Sequence, residues 1–136
     1  MTPRLLAVPA YLRELIGQLQ EKYDPQRKIL FQLEADNFEL NTAQATAVAI
    51  ILTEALENSL QHAFDSEHPD KRIEISMRLF ASDIALMISD NGQGKINDPI
   101  PGRGSARIHT AVEELGGTMK MVSGQGFYLL VDFKKR

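Results

Sequence analysis

Residues Arg72 to Phe80 alternate: Ile73, Ile75, Met77 and Leu79 fall on one side, and Arg72, Glu74, Ser76 and Arg78 on the other. Successive side chains of a strand point to opposite faces, so this stretch reads as a half-buried strand. Ala81-Ser82-Asp83 turns the chain, and Ile84 to Ser89 returns as a second strand. A sheet with one apolar face needs a cover on that face alone, and the remaining elements have to supply it.

The rest of the chain offers helices and another hairpin. Pro9 followed by Tyr11, Leu12, Leu15, Ile16 and Leu19 predicts an amphipathic helix with proline in its first turn, ended by Asp24-Pro25. Lys28 to Glu34 predicts a strand. Asn41 with Gln44 resembles a capping box opening a long helix over about 42–63. On that helix Val48, Ile51, Leu52, Ala55 and Ser59 follow helical spacing and are expected to face the core. Residues 90–103 are rich in Gly, Pro, Asn and Asp and predict a loop. Ser105 to Leu115 predicts a helix, stopped by Gly116-Gly117. Thr118 to Val122 and Phe127 to Phe133 predict a hairpin across residues 123–126. Together these elements predict a two-layer α/β sandwich with helices packed on one face of a mixed sheet.

With 136 residues, 43% hydrophobic and 24% charged, the chain suits one domain with one core. There is no cysteine, which excludes disulfides, thiol nucleophiles and cysteine–metal clusters. No apolar run nears the roughly 20 residues of a membrane span, so no membrane insertion is expected. No basic-then-apolar signal segment opens the chain, and a cytoplasmic setting is expected. The net charge is −3. It divides into −6 over residues 1–99 (9 Lys/Arg, 15 Asp/Glu) and +3 over residues 100–136 (6 and 3). An acidic bulk argues against nucleic acid as a partner. Arg103 and Arg107 stand beside glycines, where an anion could use them.

Three constellations carry chemistry. Glu54, Asn58 and His62 are spaced by four, so they share a stripe of the long helix. A carboxylate, an amide and an imidazole in line suit a Mg²⁺-nucleotide: Asn58 can give the metal an oxygen and Glu54 can orient or deprotonate a nucleophile. Asp90 follows an apolar strand and precedes Asn91-Gly92-Gln93-Gly94. A carboxylate only accepts, so it pairs with an exocyclic amine such as that of adenine, while Gly92 and Gly94 allow close backbone approach to a flat ring. Asp-Asn-Gly is equally an ordinary turn signal. Gly102-Arg103-Gly104 opens a helix and fits phosphate, although no Walker P-loop is present.

In this order the motifs resemble the ATP-binding catalytic domain of sensor histidine kinases, within the gyrase, Hsp90, histidine kinase and MutL ATPase superfamily. The segment from Leu52 to Phe64 resembles its N box, Ile88 to Gly94 its first glycine box, and Gly102-Arg103-Gly104 its second. Asn41-Thr42-Ala43, His62-Ala63-Phe64 and the short Lys95–Pro101 segment are similar to the second histidine kinase class, related to the HWE kinases. The resemblance implies a Bergerat-type ATP-binding fold with ATP and Mg²⁺ as ligands. It implies that Asn58 holds Mg²⁺, Glu54 assists phosphoryl transfer and Asp90 binds the adenine amine. Gly92, Gly94, Gly102 and Gly104 would line the lid and phosphates, with Arg103 beside them and His62 near the phosphates.

The chain departs from the family at Gln61, where lysine is common, at Ser105, where leucine is, and at Phe127, where threonine is. His68 and His109 lack the context of a phosphoacceptor, so residues 1–136 are expected to be one ATPase-like domain without a dimerising phosphoacceptor domain. Such a domain is expected to be monomeric, to act on a histidine-containing phosphoacceptor domain, and to have a response regulator as a further partner. Two alternatives stay open: an anti-sigma-factor-like serine kinase, and a degenerate ATPase fold serving as a docking module for a response regulator or phosphotransfer partner.

Overall fold

The computed structural model describes residues 4–63, 70–92, 104–124 and 126–136. Its elements in order are β1 (Leu5–Ala7), α1 (Val8–Tyr23), β2 (Leu30–Ala35), β3 (Glu39–Asn41), α2 (Thr42–Asn58) and a π-helical turn (Ser59–Ala63). Then come β4 (Arg72–Phe80), β5 (Asp83–Asp90), α3 (Gly104–Glu114), β6 (Thr118–Gly124) and β7 (Gly126–Lys134).

Five strands form one mixed sheet in the order β2-β4-β5-β7-β6. β2 runs parallel to β4, and every other pairing is antiparallel. The alternation in β4 does what its pattern requires: Ile73, Ile75 and Met77 are buried while Glu74 and Arg78 face solvent. The same face carries Ile84, Leu86 and Ile88 of β5 and Phe127, Leu129, Val131 and Phe133 of β7. Against it pack Leu12 and Ile16 of α1, Val48, Ile51, Leu52, Ala55 and Leu56 of α2, and Ile108, Ala111, Val112 and Leu115 at α3, all in one core. The architecture is therefore a two-layer α/β sandwich with its helices on one face of the mixed sheet.

Several local features depart from the sequence expectation. The strand predicted from Lys28 begins at Leu30, because the Asp24 carboxylate takes the Lys28 and Ile29 amides at 2.9 Å each and holds them out of the ladder. β1 and β3, absent from the sequence reading, form a separate antiparallel pair that closes the chain around the start of α2. The capping box is only half made. Asn41 accepts from the Gln44 amide at 2.8 Å, but the Gln44 side chain turns away from the helix start. It donates to the Lys134 carbonyl at 2.8 Å and accepts from the Arg136 amide at 3.2 Å, tying α2 to the end of β7.

α3 ends as its glycines suggest. Gly116 has φ of +64°, its amide donates to Glu113 O at 2.9 Å, and the Gly117 amide donates to Val112 O at 3.0 Å. That is a Schellman closure, for which a residue without Cβ is suited at the left-handed position. Among the described residues, no helix is long and apolar enough to cross a membrane.

Candidate functional site

Four chain segments meet at one end of the sheet: the end of α2 with its π-helical turn, the start of β4, the end of β5 and the start of β7. Asp90 is the last residue of β5, opposite Ile73 on one side and Phe127 on the other. Its carboxylate is held by three donors. Ser59 Oγ donates to Oδ2 at 2.6 Å. The amides of Gly92 and Phe127 donate to Oδ1 at 3.0 and 3.2 Å. A carboxylate offers about four acceptor positions. Among the described residues, both positions on Oδ1 are taken and one of the two on Oδ2, leaving Oδ2 an acceptor for one more N–H.

Backbone shape makes this arrangement possible. Gly126 has φ of +113°, and a Cβ there would lie 2.5 Å from the Asp90 carbonyl oxygen. Only glycine lets β7 start so close to the end of β5. Asn91 has a supporting role: its amide donates to Arg72 O at 3.1 Å, while its Oδ1 accepts the Arg72 amide at 2.7 Å, pinning the glycine turn to the start of β4.

Ser59 is completely buried, as its spacing predicts, yet it serves the site rather than the hydrophobic core. Sequence reasoning missed that role. Helical spacing assigns a residue to a face but does not say that the neighbour across that face is a carboxylate. Phe127 is buried in the core and gives Asp90 its backbone amide, while the hydroxyl on this carboxylate comes from Ser59 at the start of the π-helical turn after α2.

Glu54 and Asn58 lie one turn apart on α2, both half-buried. Glu54 Oε1 accepts from Arg107 of α3 at 2.7 Å. Next to them, the Tyr23 hydroxyl donates to the Glu57 carboxylate and ties the end of α1 to α2. His62 does not continue the α-helical stripe. From Ser59 to Ala63 the backbone winds as a π-helix, whose wider turn does not stack residues four apart. Gly104 is the first residue of α3. Gly94, Gly102 and Arg103 lie outside the described residues.

The donor set suits a metal that arrives on a nucleotide. Mg²⁺ bound to phosphates takes most of its oxygens from phosphate and water, so one amide oxygen from Asn58 is a sufficient protein contribution. Among the described residues there is no cluster of three His, Asp or Glu that could cage a metal.

A family model for the histidine kinase-like ATPase domain matches residues 18–129. The chain belongs to that family. No curated protein matches it by sequence. Among solved structures, the ATPase domain is similar to the histidine kinase domain of the Erythrobacter litoralis EL346 blue-light activated histidine kinase (TM-score 0.84, 21% identity), covering 96% of this chain and 62% of that one. A longer form of the same kinase matches with a TM-score of 0.85 and 22% identity, covering 96% of this chain and 42% of that one. The catalytic domain of histidine kinase ThkA matches with a TM-score of 0.75 and 18% identity, covering 99% and 97%. At these identities the likeness is one of fold. The chain spans about three fifths or less of the length of the Erythrobacter structures it matches.

Proposed function

We propose that this ATPase-family domain binds Mg-ATP and is the catalytic domain of a protein-histidine kinase, delivering the γ-phosphoryl group to a histidine on another domain or chain in two-component signalling. The observation that carries the reading is the Asp90 carboxylate. It is oriented by three donors, keeps one acceptor on Oδ2, and sits at the end of the helix that bears Asn58 and Glu54.

In this reading Oδ2 accepts from the exocyclic amine of adenine, beside the backbone of Gly92 and Gly94. Asn58 holds Mg²⁺, whose charge would offset that of the phosphates. By the family resemblance Gly102, Arg103 and Gly104 would bind the phosphates, and His62 would serve them as well. Glu54 takes the proton from the attacking imidazole nitrogen as the N–P bond forms and the bond from the γ-phosphorus to the bridging oxygen breaks, leaving ADP. Transfer of this kind depends mainly on positioning and charge neutralisation. The phosphoacceptor, and a response regulator after it, come from outside residues 1–136, and the isolated chain is monomeric. A cytoplasmic setting accords with the use of ATP. The finer placement in the histidine kinase class related to the HWE kinases rests on Asn41-Thr42-Ala43 and His62-Ala63-Phe64.

The test is calorimetric titration of the chain with ATP, with and without Mg²⁺, for the wild type, Asp90→Asn and Asn58→Ala. The wild type is expected to bind saturably. Asp90→Asn is expected to lose about a hundredfold or more, because its amide presents a donor where the site needs an acceptor. Asn58→Ala is expected to bind the adenine while losing the dependence on Mg²⁺. Unchanged affinity in Asp90→Asn would sink the nucleotide reading. The absence of any binding by the wild type would favour the docking-module alternative.

A further inference from the structure

Glu54 and Arg107 are 53 residues apart in sequence and meet across α2 and α3. Their environments differ sharply. The Glu54 side chain is 15% exposed and the Arg107 side chain 74%. The carboxylate is thus set into the wall between the helices, and the guanidinium reaches it from solvent. Both line a groove of about 690 Å³ with Thr53 and Glu57 of α2 and Ala106 and Thr110 of α3.

Arg107 is poorly placed for its own helix. It stands in the first turn of α3 (Gly104–Glu114), where the helix dipole disfavours a cation and favours an anion. Within the described residues Glu54 is the anion that meets it, through an ion pair exposed on one side, and such pairs are weak. A phosphate arriving at the start of α3 would be attracted to the same helix end and to the same guanidinium. Its several oxygens suit the forked donor set of arginine better than a single carboxylate oxygen does.

We infer that Arg107 exchanges partners: it holds Glu54 in the empty site, and it moves to the terminal phosphate of a bound nucleoside triphosphate, which frees the Glu54 carboxylate. Arg107 is then a positioning residue for Glu54 and a sensor of the third phosphate. The inference rests on the nucleotide reading above. While the guanidinium donates to Oε1, it stands over one of the two carboxylate oxygens and crowds the approach of an incoming nucleophile. Once the arginine turns to phosphate, both oxygens are open, so the base is most accessible when there is a phosphoryl group to transfer.

The test compares ATP with ADP, which lacks the third phosphate, by calorimetry in the presence of Mg²⁺. The proteins are the wild type, Arg107→Ala, Arg107→Lys, Glu54→Gln and the double variant. Arg107→Ala is expected to weaken ATP about tenfold and ADP less than about twofold, with Arg107→Lys recovering part of the loss. Glu54→Gln removes the competing partner and is expected to tighten ATP about fivefold, and the same substitution made on top of Arg107→Ala is expected to gain less.

Equal losses for ATP and ADP in Arg107→Ala would overturn the inference. So would a Glu54→Gln gain as large or larger without Arg107, since the arginine would then merely screen the carboxylate. These failures leave ADP binding by the wild type intact. If the wild type binds neither nucleotide, the nucleotide reading falls and the exchange falls with it.

Discussion

The two ends of the site on α2 are built in opposite ways. At the Asp90 end, two backbone amides and a fully buried serine hydroxyl fix a carboxylate, and two strands approach so closely that one position excludes a side chain. At the Glu54 end, among the described residues, the carboxylate is met by a guanidinium that is itself mostly in solvent. The first arrangement has no slack, because each donor is set by the fold. The second holds by a contact that an arriving anion can replace. Under the proposed function, recognition of a flat, uncharged ring at Asp90 would benefit from rigidity, whereas a base at Glu54 would benefit from a partner it can lose.

Substitutions can break this contrast, and the largest effect is expected at Gly126. An alanine there would place Cβ 2.5 Å from the Asp90 carbonyl oxygen at a φ of +113°. Gly126→Ala is expected to lower the unfolding free energy by about 2–4 kcal/mol in denaturant titration. A loss under about 0.5 kcal/mol, the range of surface changes, would show that β5 and β7 are free to separate there.

Next comes Ser59→Ala, which removes a donor from Asp90 Oδ2. The expected cost is about 1–3 kcal/mol of stability, together with equal weakening of ATP and ADP. A selective effect on ATP would mean that the hydroxyl serves the phosphates rather than the ring. The smallest effect is expected for Arg107→Ala, a change of less than about 1 kcal/mol in unfolding free energy. A larger destabilisation would make the pair with Glu54 part of the packing between α2 and α3, and the contrast between the two ends would weaken.

The sheet and the helical layer were legible because their signals are periodic. The alternation of Ile73, Ile75 and Met77 and the helical spacing of Val48, Ile51, Leu52 and Ala55 each report which side must be covered. Asp90 stood out because a carboxylate before a glycine turn is a local pattern. What escaped the reading depends on partners far away in sequence. Gln44 looks like a capping residue until the end of β7 arrives beside it, and Ser59 looks like filler until Asp90 does. The ion pair of Arg107 with Glu54 joins positions that no spacing rule connects. The three-residue strands β1 and β3 are too short to show a period. The π-helical turn follows from no residue pattern in Ser59–Ala63, so His62 was placed by a spacing that ends one turn before it.

Strand order has a consequence for how the polypeptide comes into being. β7, residues Gly126–Lys134, is inserted between β5 and β6 rather than added at an edge. During synthesis, β5 therefore waits with one side of its ladder open until about residue 134 has left the ribosome, and β6 has nothing to pair with before then. The apolar faces of Ile84, Leu86 and Ile88 stay without a neighbour on that side for the same interval. Premature release of the nascent chain is the point at which aggregation is most expected, since unpaired strand edges with apolar faces recruit one another.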